Sequence, residues 1–240
     1  MKLPLSSLTF AGILFASLAL TSPLEAQNPF KGKKNPFKKT QPDLEVRIGE
    51  NRLRFEERQL RRGEAIPPRV IAQARGIVIL HHVKVGMGFG AELGNGVAVV
   101  KDTNGNWGPP AFVTLSKGSW GAQIGANEAV TIMVLMNEDG LRILRDGGAG
   151  DAGVELNAVA GPMETGGEAG TISLREPVLI YSSAKGAFIG ASFEAGALIG
   201  ARNKNQTLYG TTSDQILFSG RVKPTPAGWK LIESLNKHSR

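Results

Sequence analysis

Four groups of residues have types and spacings that could do chemistry. Gly86-Met87-Gly88-Phe89-Gly90-Ala91 matches the G-x-G-x-x-A fingerprint of dinucleotide sites, and an apolar run precedes it. That chemistry needs a helix next, because the helix N-terminus holds the pyrophosphate. Gly94, Asn95 and Gly96 follow instead, and then a fresh apolar run, so no helix fits there. Gly190-Ala191-Ser192-Phe193-Glu194 begins like a nucleophile elbow, but Glu194 stands where the sharp turn needs a glycine. A serine nucleophile also needs a base. The chain has three histidines: the adjacent His81 and His82, and His238 near the C-terminus. On a strand, neighbouring residues point to opposite faces, so His81 and His82 do not easily chelate one metal together. No catalytic triad emerges.

Carboxylates and aromatics fill the other groups. Glu155, Glu164, Glu168 and Glu194 could pair across strands for acid–base work, although charges that keep sheet edges soluble have the same appearance. Trp107 and Trp120, each beside glycines, could stack a sugar or a base, or anchor a core or hairpin. The chain contains no cysteine, which excludes disulfides, thiolate nucleophiles, zinc–thiolate sites and an N-terminal lipidated cysteine. These residues predict a protein that is not an enzyme and carries no cofactor.

Positive charge is the stronger signal. The formal net charge is +7 over 240 residues, which suits a polyanionic partner. The chain opens with Lys2, an apolar run from about Leu8 to Leu20, and a small residue at Ala26. That layout predicts a secretory signal peptide over residues 1–26 and an exported protein, periplasmic or extracellular. The alternative, an uncleaved anchor, requires a span of about 20 apolar residues. Export makes nucleic acid a poor partner and leaves anionic lipid. Residues 27–42 then read as a basic disordered arm. Asn28-Pro29-Phe30-Lys31 recurs as Asn35-Pro36-Phe37-Lys38, and Lys31, Lys33, Lys34, Lys38 and Lys39 stand without an acid until Asp43. Near an anionic membrane each lysine contributes about 1 kcal/mol. The bland alternative is a solvated linker.

The elements that must position these groups follow. Leu44, Val46 and Ile48 alternate as in a strand, and the residues from Glu50 to Arg62 favour a helix that Gly63 stops. That helix carries Arg52, Arg54, Arg58, Arg61 and Arg62. It is either a basic docking element or a solvated face paired with Glu56 and Glu57. On a helical wheel Leu53 and Leu60 share a side and Phe55 points elsewhere. Pro67 and Pro68 open a short helix to about Ala74. From Gly76 onward, Val/Ile/Leu runs broken by Gly, Asn and Pro predict strands, with a hairpin loop at "DTNGNWGPP". "NEDGLRILRDGG", "TSDQILFSG" and "PAGWKLIESLNKH" read as helices, and "VELNAVAG", "EPVLIYSSA", "GAFIGASFEAG" and "ALIGARN" as strands. The expected fold is α+β: a curved, mainly antiparallel sheet or barrel-like core with helices at both ends, forming a single domain over residues 43–240. The glycines of residues 182–203 predict close strand approach in that sheet. Lys185 could meet a phosphate at the end of its strand, or be a lysine exposed on a turn.

Several stretches together resemble the SYLF-domain family: "VIAQARGIVILHHVKVGMGFG", "GNWGPPAF", "WGAQIGA", "LNAVAGP", and "YSSAKGAFIGASFEAG" through "NQTLYG", in order over about residues 65–222. Gly108 stands where that family has a serine. The resemblance implies a non-catalytic lipid-binding module. Eukaryotic relatives bind phosphoinositides (phosphatidylinositol-type lipids), and yeast endocytic relatives bind and bundle actin. An envelope protein or actin is therefore the alternative partner. The resemblance also implies that the membrane-contacting element is a basic amphipathic helix, a place held here by residues 50–62.

Overall fold

The structure, a computed structural model, describes residues 43–145, 158–162, 176–183 and 196–240, with backbone only at 84–93, 116–127, 158, 196 and 197. The chain divides into Met1–Gln41 and Pro42–Arg240, and all the described residues belong to the second unit.

The second unit begins with one helix, α1 (Leu44–Leu60). The expected strand at Leu44–Ile48 is therefore corrected. Asp43 starts the helix by accepting a hydrogen bond from the Glu45 amide at 3.0 Å. The buried set Ile48, Asn51, Phe55 and Arg58 follows helical spacing, and that outweighs the short alternation of Leu44, Val46 and Ile48. The proline-opened helix forms as expected, as α2 (Pro68–Gln73).

Two long strands follow, β1 (Gly76–Val100) and β2 (Ala111–Leu135), paired antiparallel from Gly76 opposite Leu135 to Ala98 opposite Ala111. The loop between them is the expected hairpin connection. β1 also doubles back on itself. Lys101 donates its amide to the Arg75 carbonyl at 2.8 Å, and Gly94 lies against His82. At Gly96 a Cβ would stand 1.8 Å from the Ile79 carbonyl oxygen, so only glycine lets the two halves approach this closely. The pairing shifts register between Met87 and Phe89, where the doubling begins.

The sheet is completed by β3 (Ala158–Ala160), β4 (Val178–Ser182) and β5 (Gly196–Gly200). β4 and β5 pair antiparallel with opposite ends of β2, and β3 pairs parallel with β4. The α+β, mainly antiparallel expectation holds, and β3 is its parallel exception. α3 (Glu138–Arg145), α5 (Ser213–Phe218) and α6 (Pro226–Lys237) sit where the sequence placed helices. α4 (Arg202–Tyr209) was not expected, because "RNKNQTLY" has no apolar stripe. It is anchored by the fully buried Asn205, whose side chain accepts from the Phe112 amide and donates to the Phe112 carbonyl. Gly200 shows the close approach expected of that glycine-rich stretch: a Cβ there would fall 1.9 Å from Ser213 Oγ.

Strand alternation gives the sheet two apolar faces. Ile77, Ile79, Val97, Val99, Phe112, Ile132, Val134, Leu179 and Tyr181 face one side, covered by α1, α2 and α6. Val78, Leu80, Ala98, Val113, Met133, Leu135, Val178 and Ile180 face the other, covered by α3 and α5. α1 and α6 run parallel in one layer. Glu45 Oε2 accepts from the Ala227 amide at 2.8 Å at one end, and the Phe55 and His238 rings meet edge-to-face at 5.7 Å at the other.

Candidate functional site

α1 is where the sequence concentrates arginine, and packing divides its arginines. Arg58 points inward. Its side chain is 6% exposed, donating Nε–H to the Glu64 carbonyl at 2.6 Å and Nη1–H to the Ser182 carbonyl at 3.0 Å. The guanidinium lies 5.7 Å from the centre of the Tyr181 ring. Burial pulls its pKa down, against the upward pull of the Glu64 charge. Arg58 thus staples α1 to β4 and to the turn after the helix, and it is removed from any docking surface.

The outward arginines are held by acids of their own helix. Arg52 meets Glu56 at 2.7 Å, and Arg54 meets Glu50 at 3.7 Å. Arg61 meets Glu57 at 2.7 Å and Glu64 at 3.6 Å, and the hydrogen bond it donates to Glu57 is the main cause of its raised pKa. Arg62 is exposed and, of the five, is the one without an ion pair among the described residues. α1 therefore presents alternating charge, the solvated face that the sequence left as an alternative, and not a coherent cationic face. Lys31, Lys33, Lys34, Lys38, Lys39 and Lys185 lie outside the described residues.

The other candidates are placed as follows. From Gly86 to Ala91 the backbone is extended, and β1 continues to Val100, so a strand stands where a pyrophosphate site needs a helix. His81 and His82 diverge as expected. His82 is buried with Nε2 3.1 Å from Thr131 Oγ1, whereas His81 pairs with the exposed Glu128. Among the described residues no group of three or more His, Asp or Glu side chains converges to hold a metal. Trp107 is a core anchor, 5% exposed, with Lys101 Nζ 4.6 Å above its ring. Lys101 also binds the α2 carbonyls of Ile71 and Ala72 at 3.3 and 2.7 Å. Burial lowers its pKa first, and the Arg75 charge adds to the effect. Ser192, Glu155, Glu164, Glu168, Glu194 and the Trp120 side chain lie outside the described residues. None of the described helices is long and apolar enough to cross a membrane.

Residues 116–238 match the family model described as "Ysc84: Las17-binding protein actin regulator". The chain belongs to the Ysc84 family. The SYLF resemblance is thereby upheld. The chain is 32% identical over 177 residues to the SH3 domain-containing protein PJ696.02 of Schizosaccharomyces pombe, covering 72% of this chain and 41% of that protein. It is 29% identical over 168 residues to LAS seventeen-binding protein 3 of Saccharomyces cerevisiae, covering 68% and 37%. Human SH3 domain-containing YSC84-like protein 1 is 29% identical over 166 residues, covering 68% and 48%. The chain thus spans about two fifths of the length of the first curated relatives that it matches. No solved structure matches.

Sequence reasoning missed the outward apolar residues of this helix layer. Val46, Leu53 and Leu60 are 53%, 54% and 82% exposed, and Trp229 on α6 is 58% exposed. The seven-residue spacing on α1 was the available signal. It sets Leu53 and Leu60 on one side, away from Phe55, as expected, but the strand expected at Leu44–Ile48 kept Val46 off that line.

Proposed function

We propose that this chain is a non-catalytic, exported binding module, held on anionic lipid by the lysines of its residues 27–42. One observation carries the reading. Arg52, Arg54 and Arg61 are tied to Glu50, Glu56, Glu57 and Glu64, and Arg58 is buried, which leaves Lys31, Lys33, Lys34, Lys38 and Lys39 as the longest run of cations without an intervening acid. Five lysines at about 1 kcal/mol each supply enough attraction to hold a peripheral protein at low salt, and screening removes much of it at high salt. Phe30 and Phe37 add shallow apolar contact beside them. The folded body acts as a platform, and α1 contributes little charge.

The test is co-sedimentation of the full mature chain with phosphatidylcholine vesicles, alone and with an anionic lipid, at low and high salt. Binding restricted to anionic vesicles and weakened by salt is expected. Equal recovery on neutral vesicles at low salt would overturn the reading.

A second reading is favoured by the family description, a Las17-binding protein and actin regulator, and by the name LAS seventeen-binding protein 3. It is a protein partner, actin or an envelope protein, in place of lipid. Salt-insensitive co-sedimentation with filamentous actin, without vesicle binding, would select it.

A further inference from the structure

The side of α1 away from α6 has a symmetry of charge that lipid docking does not require, and within it Asp43 also caps the helix and Arg47 is half-buried. Asp43, Arg47, Glu50, Arg54, Glu57 and Arg61 follow one another at intervals of four, three, four, three and four residues, with alternating sign. At 100° per residue they fall in one band about 80° wide along one side of the helix. The line Val46, Leu53, Leu60 runs beside that band, pointing outward. α6 lies on the other side of this line, reached through Glu45, which accepts from the Ala227 amide.

We propose that α1 docks antiparallel on α1 of a second copy of this chain. Turning the helix end for end about residue 52 places Asp43 opposite Arg61, Arg47 opposite Glu57, and Glu50 opposite Arg54, so every acid meets a base. In a two-fold antiparallel pair the same side of each helix faces its own counterpart, and that operation brings the two bands together. Leu53 then lies beside Leu53 of the second copy, and Val46 beside Leu60, each offset by about 3 Å along the axis. The internal pairs Arg54–Glu50 and Arg61–Glu57 hold the side chains in the ladder, and each of these acids gains a second cation on docking.

Other occupants fit less well. A parallel second copy sets like charges at equal height, which is repulsive. An anionic bilayer meets Glu50 and Glu57 flanking the apolar line. An α1–α1 contact about 25 Å long and about 10 Å wide buries on the order of 500 Å² in total, below the usual size of a stable interface. The dimer is therefore expected to be concentration-dependent.

Sedimentation velocity of the full mature chain over about 1 to 200 μM tests this. A reversible monomer–dimer equilibrium is expected. Leu53→Asp should leave a monomer with unchanged thermal unfolding. Arg54→Glu should weaken the dimer about tenfold by facing Glu50 of the second copy. Glu50→Arg combined with Arg54→Glu should restore it, because both changes recur on each chain and the sign match returns. A monomer at every concentration overturns the proposal. So does a dimer insensitive to Leu53→Asp, or a double exchange that fails to restore what the single change lost.

Discussion

The two sides of α1 use the same residue types for opposite ends. Inward stand Ile48, Asn51, Phe55 and Arg58; outward stand Val46, Leu53 and Leu60 between acids and bases. Each side has large apolar residues and an arginine in the second half of the helix. Inward, Phe55 is fully buried and Arg58 donates to the carbonyls of Glu64 and Ser182. Outward, Leu53 is half exposed and Arg54 pairs with Glu50. Residue type alone therefore does not mark a functional arginine on this helix. The angular position relative to the sheet does.

The largest effect that can break this contrast comes from truncating its apolar members. Phe55→Ala should destabilise the fold by about 3–5 kcal/mol in urea unfolding, because it empties a filled core position. Leu53→Ala should stay within about 0.5 kcal/mol in the monomer, as an exposed site does. Equal losses at the two positions would refute the division. A similarly large loss is expected at Gly96, where Gly96→Ala sets a Cβ against the Ile79 carbonyl; far-UV dichroism and urea unfolding would register it.

The arginines come next. Arg58→Ala should cost about 2–4 kcal/mol, because the Glu64 and Ser182 carbonyls lose a charged donor in a buried place. Arg54→Ala should cost a few tenths, as exposed pairs on a helix do. Thermal unfolding of the two variants sharpens the comparison. An Arg58 variant as stable as wild type would mean that its hydrogen bonds contribute nothing.

Smaller still is the response to acid at the seam between α1 and α6. Burial, with the Lys237 charge, holds His238 below its ordinary value against the pull of Glu56. Burial acts to raise Glu56, but the nearby Ser234 hydroxyl and the hydrogen bond and charge of Arg52 outweigh it and hold this carboxyl low. The folded state thus binds fewer protons than the unfolded chain at both groups. Stability should begin to fall as pH drops through about 6.5 toward the folded value of His238. It should fall again below about 4.5, toward the folded value of Glu56. Unfolding of wild type, Glu56→Gln and His238→Asn across pH 3–8 checks this: each variant should flatten its own step. A stability that rises on acidification would contradict the assignment.

Much of this layout could be read from the residues. The Val/Ile/Leu runs broken by Gly, Asn and Pro predicted the sheet, and proline at the start of α2 and α6 predicted their first turns. α4 was hidden because one buried Asn205, and no apolar stripe, ties it down. The doubling of β1 was hidden because its evidence is a contact between Gly96 and Ile79, which no local pattern encodes. At the candidate site the arginine-rich helix was visible, along with the choice between docking and pairing. The fate of Arg58 was not visible, because its partner Ser182 is distant in sequence and is brought close only by β4.

The central claim is that cations outside α1, at residues 31–39, hold the molecule on its target. Vesicle co-sedimentation of two glutamine variants measures it most directly: one at Lys31, Lys33, Lys34, Lys38 and Lys39, the other at Arg52 and Arg62. The account predicts at least a tenfold loss of binding to anionic vesicles at low salt for the lysine variant, and less than about a threefold change for the arginine variant. Full binding by the lysine variant together with loss in the arginine variant would contradict it and return the docking surface to α1.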